Sequence, residues 1–396
     1  RHGTISQNLG ALAANLADSF GTAGGILAVL GLWWLLRHRR DVGIALVLAF
    51  LTTGPLFMAY ANPPLGGLLA GVFARFYILP SIPLAMIIGF GSWQLLEWVA
   101  RIVSATLQAR QPHFRFAASG LVSVLLLAVV IGPASGRYDS VDQSDNRMTI
   151  NFVRDMLAPL DRDAILLTEG DTAVLGTWYA QNAEGYRPDV TVIAVPLLHF
   201  QWYIDEMRRR HPDVTIPFEA IDIAGKPATD LVVDANFALR PIYYVGVIDE
   251  AFPAGYGELR TGFARKFALA ADVTDPFDYV RTHIEELEGY HFPTRSYPTS
   301  TWENWESSYY SGAAFDLANA YELVDVATAV HWYRTAIRIN PGNGAAYKNL
   351  AILLSANSGQ PAEIADLLEQ YLVMAPQDPE AETIRASIAQ LRGTSP

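Results

Sequence analysis

Hydrophobic positions along this chain follow two regimes. Up to residue 133 they come in long apolar runs, whereas from 134 onward they come in short strings separated by Asp, Glu and Arg. The first regime predicts four membrane-spanning helices, at about 20–36, 42–60, 76–99 and 114–133, since a helix crossing a hydrocarbon core needs about 20 apolar residues. In the second regime, Met148 to Leu160 carries apolar residues at helical spacing (Ile150, Val153, Met156, Leu157, Leu160), and Ala164 to Thr168 is a short apolar run suited to a buried strand. Gly170 turns the chain, Asp171 or Thr172 can cap the helix that follows, and Arg187-Pro188-Asp189 breaks that helix. Val190 to Val195 predicts a second strand and His199 to Arg210 a second full helix. Leu231 to Asn236 and then Arg240 to Val245 repeat the helix-strand order. Alternating strands and helices predict a small parallel, Rossmann-like sheet.

From residue 312 to 392 the spacing changes again. Leu317-Ala318, Tyr321, Ala329, Tyr333, Ala336 and Pro341 follow the small-large pattern of a tetratricopeptide unit. Tyr347, Leu350-Ala351, Leu368, Tyr371 and Pro376 echo it at close to the ~34-residue period of such repeats. A final helix is expected from Pro379 to Leu391. The fold class predicted is therefore multi-domain: α-helical transmembrane segments over 1–133, a Rossmann-like α/β domain over 134–311, and an all-α tetratricopeptide-like tail over 312–396.

Charge fixes an expected orientation. Arg37-His38-Arg39-Arg40 and the loop with Arg101, Arg110 and Arg115 are the basic connections, and the positive-inside rule places them in the cytoplasm. Alternation then puts everything after 134 outside, in the extracytoplasmic space of a bacterial inner or plasma membrane. If the fourth span did not cross, the large domain would be cytoplasmic. Pro80 and Pro83 interrupt the helical ladder of the third span. Arg75 and Tyr77 flank them at the outer boundary, where a cation beside an aromatic suits either a lipid-carrier phosphate or ordinary head groups.

The chain has 396 residues, 51% hydrophobic, with no cysteine and a formal net charge of -12. Missing cysteine excludes disulfides and thiolate metal sites. Beyond 134 the only lysines are Lys226, Lys266 and Lys348, too few for a phosphate footprint, so nucleic acid is not an expected partner. There is no complete dinucleotide fingerprint after the first strand, no Gly-x-Ser-x-Gly and no His-Glu-x-x-His. No cofactor and no metal are expected. Ligands of α/β sheets sit at the carboxyl ends of strands, which is where Glu169, Gly170 and Asp171 fall. Their acidity repels phosphate and favours a hydroxyl-rich or cationic ligand. Trp178, Tyr179, Arg187 and Asp189 complete the candidate binding set, although Asp171 as a plain cap and an Arg187–Asp189 pair fixing a loop explain the same residues structurally. The aromatic segment from Tyr297 to Tyr310, with Trp302, Trp305, Tyr309 and Tyr310, is of a kind that stacks on sugars and on membrane interfaces alike, and is expected to fill the joint before the repeats.

Thr168-Glu169-Gly170-Asp171-Thr172, Leu175, Trp178-Tyr179-Ala180-Gln181, Glu184-Gly185, Arg187-Pro188-Asp189-Val190 and Trp202-Tyr203-Ile204 together resemble the soluble segment of the domain of unknown function 2723 family. Arg240-Pro241-Ile242-Tyr243 and Arg75-Phe76-Tyr77-Ile78-Leu79-Pro80 are similar to it as well, so the resemblance runs from about 20 to 320. These are multi-pass bacterial relatives of the eukaryotic transmembrane protein O-mannosyltransferases, of GT-C type. The resemblance implies a polyprenyl-phosphate sugar donor and a catalytic carboxylate in a first outer loop, for which no position here matches. Where that family often has Asn-Asp after its Gly-Asp, this chain has Thr172-Ala173. The chain starts at Arg1 and is expected to be the carboxyl-terminal part of a longer glycosyltransferase-like protein, inactive by itself, with no catalytic residue assigned. The alternative from another class is a membrane-anchored, non-catalytic scaffold that binds envelope proteins through 312–396. A third reading is a small-ligand sensor at the Gly170 turn.

Overall fold

The computed structural model describes residues 4–63, 66–106, 142–220, 228–246, 253–357 and 359–393, with isolated positions between 120 and 141. The described chain forms two compact units, one up to Asp145 joined by Thr299–Thr301, the other comprising Asn146–Pro298 and Trp302–Pro396.

Among the described residues, the first unit holds three stretches long and apolar enough to cross a membrane: Ile5–His38, Arg40–Ala61 and Gly67–Ile102. Helix α1 (Ile5–His38) starts well before the apolar run, because Thr4 and Gln7 form a reciprocal capping box that satisfies the first backbone N–H groups. The second stretch is α2 (Arg40–Thr53) and α3 (Pro55–Ala61), parted where Gly54 leaves helical geometry and Pro55 restarts the helix at its first position. The third comprises α4 (Gly67–Ala74), a 3-10 turn (Arg75–Tyr77) and α5 (Ile78–Thr106). Pro80 falls in the first turn of α5, where its missing N–H leaves no bond unmade, and Pro83 lies further inside. Helices α1 and α5 pack backbone to backbone through glycine: a Cβ on Gly31 would lie 1.9 Å from the Ile87 carbonyl oxygen, and one on Gly91 1.8 Å from that of Leu27. Apart from isolated positions, the predicted span 114–133 lies outside the described residues.

The second unit begins with α6 (Met148–Leu157) and a five-stranded mixed sheet of order β2-β1-β3-β5-β4. Its strands are β1 (Ile165–Thr168), β2 (Thr191–Ala194), β3 (Ile242–Val245), β4 (Tyr256–Thr261) and β5 (Ala264–Leu269). Strands β2, β1 and β3 are parallel, with Thr168 opposite both Ala194 and Val245. Helix α7 (Asp171–Glu184) connects β1 to β2, and α8 (Gln201–Arg210) and α9 (Ala228–Asn236) lie between β2 and β3. The all-parallel expectation is corrected on one side: β4 and β5 form an antiparallel hairpin docked on β3, turned by Gly262 at φ 82.

Side chains of the three parallel strands divide by period two between two cores. Leu166 and Tyr243 join Phe152, Val153 and Met156 of α6 on one face. Ile165, Leu167 and Tyr244 join Tyr203 and Ile204 of α8 and Val232 of α9 on the other.

Short helices α10 (Asp278–Thr282) and α11 (Ile284–Glu288) lead to five longer ones: α12 (Trp302–Tyr321), α13 (Val326–Ile339), α14 (Gly344–Ala356), α15 (Pro361–Met374) and α16 (Ala381–Leu391). Each of these packs on the next. Helix α12 runs unbroken through residue 312 and serves two cores. Tyr310, Ala313 and Leu317 enter the core over the sheet, while Ala314 and Ala318 enter the core of the helical tail. Ser311 seals the second contact, donating to the Ala336 carbonyl at 2.8 Å and accepting from Asn343 Nδ2 at 2.9 Å.

Candidate functional site

The third face of α12 borders a cleft. Trp305, Ser308, Tyr309, Gly312 and Asp316 recur at i, i+3, i+4, i+7 and i+11, so they line one side of the helix. That side, together with the end of β3 and the β4–β5 hairpin, bounds a cleft of about 320 Å³. Tyr244, Gly246, Arg260 and Arg265 form its opposite wall. The cleft thus borders the carboxyl edge of the parallel strands, where such sheets place ligands.

The Glu169-Gly170-Asp171 turn adjoins it. The Glu169 N–H continues the β1–β3 ladder by donating to the Val245 carbonyl at 2.9 Å. Its side chain hydrogen-bonds with Tyr244, whose hydroxyl is pushed well above its ordinary range by burial and then by this carboxylate. Gly170 has φ 87, and a Cβ there would meet Trp305 Cη2 at 3.4 Å. The same burial pushes Tyr309 up to about 12, with Arg265 opposing and Glu169 adding to the rise. Trp305 and Tyr309 stand edge to face, centroids 5.0 Å apart, and Tyr309 also packs edge-on against Phe152.

Charge in the cleft is paired. Arg260 Nη1 donates to Asp316 Oδ1 at 2.6 Å, its guanidinium over the Phe277 ring, and Arg265 Nη1 donates to Glu258 at 3.0 Å. Asp316 is almost fully buried, and burial lifts it to about 6 although Arg260 pulls the other way. A neighbouring buried carboxyl, Glu306, faces the core: Thr149 donates to its Oε1 at 2.7 Å, Oε2 has no partner, and burial pushes it up to about 7. Among the described residues no group of three His, Asp or Glu could hold a metal ion.

The residues singled out from sequence are distributed over four places. Glu169 bonds to Tyr244 of the cleft wall without itself lining the cleft, and Asp171 is exposed. Asp171 is the first helical residue of α7 and caps nothing; Gly170 occupies the cap position without a side-chain bond, which corrects the capping expectation for Asp171 and Thr172. Trp178 lines a separate groove of about 800 Å³ between α7 and α8, with Trp202 and Met207, and Tyr179 is exposed on α7.

Arg187 and Asp189 lie before β2, at the opposite, amino edge of the sheet. There Arg187 donates twice to Asp189 (2.9 Å each) and to the carbonyls of Leu157, Ala158 and Asp161. Asp189 accepts from the Asp163 N–H as well, and Arg187 holds its carboxyl down at about 2. These two residues fasten the end of α6 to the start of β2. Arg75 and Tyr77 belong to the first unit: Arg75 is exposed, its guanidinium 5.4 Å from the Phe76 ring centre, and the Tyr77 carbonyl accepts from the Ser81 hydroxyl at 2.8 Å.

Reading by residue missed Tyr244, Arg260, Arg265 and Asp316. Trp305 and Tyr309 were singled out, but as joint filler; they do pack on the sheet core while lining the cleft. The usable signal was the spacing on α12 from Trp305 through Ser308, Tyr309 and Gly312 to Asp316, which puts these residues on one side of the helix.

A family model described as TMEM260-associated domain 2 matches residues 149–224, from α6 through α8, and one for a family of unknown function (DUF6541) matches residues 2–176. The chain is similar to the protein O-mannosyl-transferase tmem260 of Dictyostelium discoideum, 24% identical over 318 residues, covering 74% of this chain and 38% of that protein. It is also similar to the mouse (Mus musculus) protein O-mannosyl-transferase TMEM260, 27% identical over 196 residues, 49% of this chain and 23% of that protein. The chain therefore spans well under half the length of these curated relatives. No solved structure matches.

Proposed function

We propose that this chain is the membrane-anchored carboxyl-terminal part of a glycosyltransferase-like protein. In this reading the protein takes a sugar, mannose by analogy with its relatives, from a polyprenyl-phosphate carrier. It delivers the sugar to a protein or envelope acceptor, which the outward-facing α/β and helical domains help to position. One observation carries the reading. A similarity covering 74% of the chain is longer than the chain on either side of Asn146, so the likeness to an O-mannosyl-transferase takes in residues of both units, which supports reading them as parts of one such protein.

The finer assignments belong to the same proposal. The motif set around Gly170 supports kinship with the domain of unknown function 2723 family and its GT-C membrane fold. The β1-α7-β2 crossover supports a Rossmann-like sheet, and α12 to α15 support two tetratricopeptide-like pairs, closed by α16. Arg75 and Tyr77 are proposed to meet the carrier's phosphate, and the catalytic carboxylate is assigned to none of these residues. The chain by itself is expected to be inactive.

The test is transfer of labelled sugar from a polyprenyl-phosphate donor by membranes carrying the gene's whole product, compared with a product cut before Asn146. Loss of transfer in the cut protein is expected; absence of any transfer by the whole product overturns the reading. Reporter fusions after residue 142 check the outward orientation.

A second reading, a non-catalytic scaffold recruiting envelope proteins, is favoured by the groove of about 810 Å³ between α14, α15 and α16, where Ile352 is 57% exposed beside Ile364 and Leu368. It requires a partner whose capture survives deletion of 1–133 and is lost with 312–396.

A further inference from the structure

We infer that the cleft between α12 and the β4–β5 hairpin is a binding subsite for a neutral hexose, held between Trp305 and Tyr309 on one side and Arg265 with the Glu169–Tyr244 pair on the other.

Its size selects small ligands. At about 320 Å³ it sits at the low end of the ~300–1,000 Å³ range of ligand pockets, which suits one sugar ring and excludes a nucleotide or a peptide of any length. Glycine shapes it. A Cβ on Gly312 would meet nothing within 4 Å, so the middle of the lining face of α12 is open space flanked by Ser308, Tyr309 and Asp316. In the interior of a 20-residue helix glycine is a poor choice for stability, by about 1 kcal/mol against alanine, and an open floor supplies a reason for it.

Its chemistry selects for hydroxyls. Aromatic rings offer apolar faces to the C–H side of a sugar ring, and Trp305 and Tyr309 are the aromatic part of the lining on α12. Around them stand acceptors and donors together. Glu169, Glu258 and Asp316 are carboxylates, Arg260 and Arg265 guanidiniums, and each guanidinium is already paired with a carboxylate. Of the described charged groups, Arg260, Arg265 and Asp316 line the cleft, and with each guanidinium already bonded to a carboxylate the lining holds a phosphate or a uronate poorly, while a neutral hydroxyl can donate to the carboxylates and accept from the guanidiniums. The subsite lies mostly beyond the 149–224 stretch that the TMEM260-associated model matches, so it is a feature of the hairpin and of α12.

The inference deepens the proposed function and rests on it for the choice of a sugar among neutral polyols. Its test is binding, not transfer. The full chain, purified in a detergent without sugar head groups, is titrated with mannose, glucose and galactose, and with mannose 6-phosphate and glucuronate, by saturation-transfer NMR and tryptophan fluorescence. At least one neutral hexose is expected to bind more tightly than either anion. Gly312→Leu, whose Cβ would have no protein atom within 4 Å and whose branch occupies the open floor, is expected to weaken that binding about tenfold or more while leaving the thermal midpoint equal or higher. Glu169→Gln is expected to weaken it less, and Trp202→Ala, in the separate groove, not at all.

No hexose binding, tighter binding of an anion, or unchanged binding by Gly312→Leu overturns the subsite. A protein that transfers sugar but binds no free hexose keeps the proposed function and loses this inference; one that binds hexose through the cleft without transferring sugar does the reverse.

Discussion

Arg260 on β4 reaches across the cleft to Asp316 on α12, Nη1 to Oδ1 at 2.6 Å, and this pair ties the antiparallel hairpin to the helix that carries the aromatic wall. Asp316 is 2% exposed, so its charge depends on the guanidinium. Arg260→Leu leaves a buried carboxyl alone and is expected to cost about 3 kcal/mol at neutral pH, the scale for breaking a buried pair. Asp316→Leu added to it is expected to recover most of the loss.

The pH dependence has a definite sign. Burial raises Asp316 to about 6 in the folded chain, so its contribution to stability declines as pH rises from about 4 to 6. In Arg260→Leu the decline continues to higher pH and its total is larger. Thermal midpoints from circular dichroism between pH 4 and 8 check both statements, and a flat profile in the variant would refute them.

Glu306 gives an independent test of buried charge on the same helix. Its carboxyl is raised to about 7 by burial, while one oxygen is unpartnered and the other accepts from Thr149. A raised acid is neutral in the folded state and ionised in the unfolded state through the window between, so stability falls as pH rises from about 4.5 to 7 and levels off above. Glu306→Gln keeps the shape and removes the titration. It is expected to stabilise the protein by on the order of 2–3 kcal/mol at pH 8 and to make no difference near pH 4. Equal stability of variant and parent at pH 8 would contradict this account.

What was legible in the sequence followed burial on both faces. Ala164 to Thr168, Val190 to Val195 and Arg240 to Val245 could be read as strands because buried parallel strands are continuous apolar runs, and all three appear within a residue or two of the reading. Tyr256–Thr261 and Ala264–Leu269 could not. They carry Glu258, Arg260, Arg265 and Lys266 among partly buried positions, since an antiparallel edge pair keeps one side wet. The cleft was hidden for the same reason: its two arginines arrive on that hairpin. Glu169 was legible because a Gly after a buried strand marks the carboxyl edge. The start of α1 was missed because Gln7, Asn8, Asn15 and Asp18 dilute its apolar signal, whereas the Thr4–Gln7 cap that fixes it lies outside any hydropathy window.

The Arg187–Asp189 pair separates a structural role from a binding one. Arg187 sits at φ 47 and spends its donors on Asp189 and on the carbonyls near the end of α6, at the sheet edge opposite the cleft. Asp189 is held at about 2, so the stability it contributes is complete above about pH 4 and is lost as pH falls to about 2. Asp189→Asn is expected to flatten that acid limb and to cost roughly 1–2 kcal/mol at pH 7, allowing for partial solvent screening. Arg187→Lys, a point charge in place of a fork, is expected to lose nearly as much. Neither change should alter hexose binding at the cleft; an altered affinity would return the pair to the candidate site.

In the first unit, the contact between α1 and α5 rests on Gly31 and Gly91, whose missing side chains let the Leu27 and Ile87 carbonyls come within 2 Å of where a Cβ would stand. Small residues at such a crossing allow close backbone approach, the main source of helix association where lipid removes the hydrophobic driving force. Gly31→Ala cannot be absorbed by a side-chain rotamer, because the obstacle is backbone. The helices must separate, at a cost of about 1–3 kcal/mol or more. Gly91→Ala is expected to act alike. The double variant should fall short of the sum, since separation forced by one methyl makes room for the other. Thermal denaturation in detergent of the two single variants and the double checks this, and full additivity would show that the two glycines do not share one crossing.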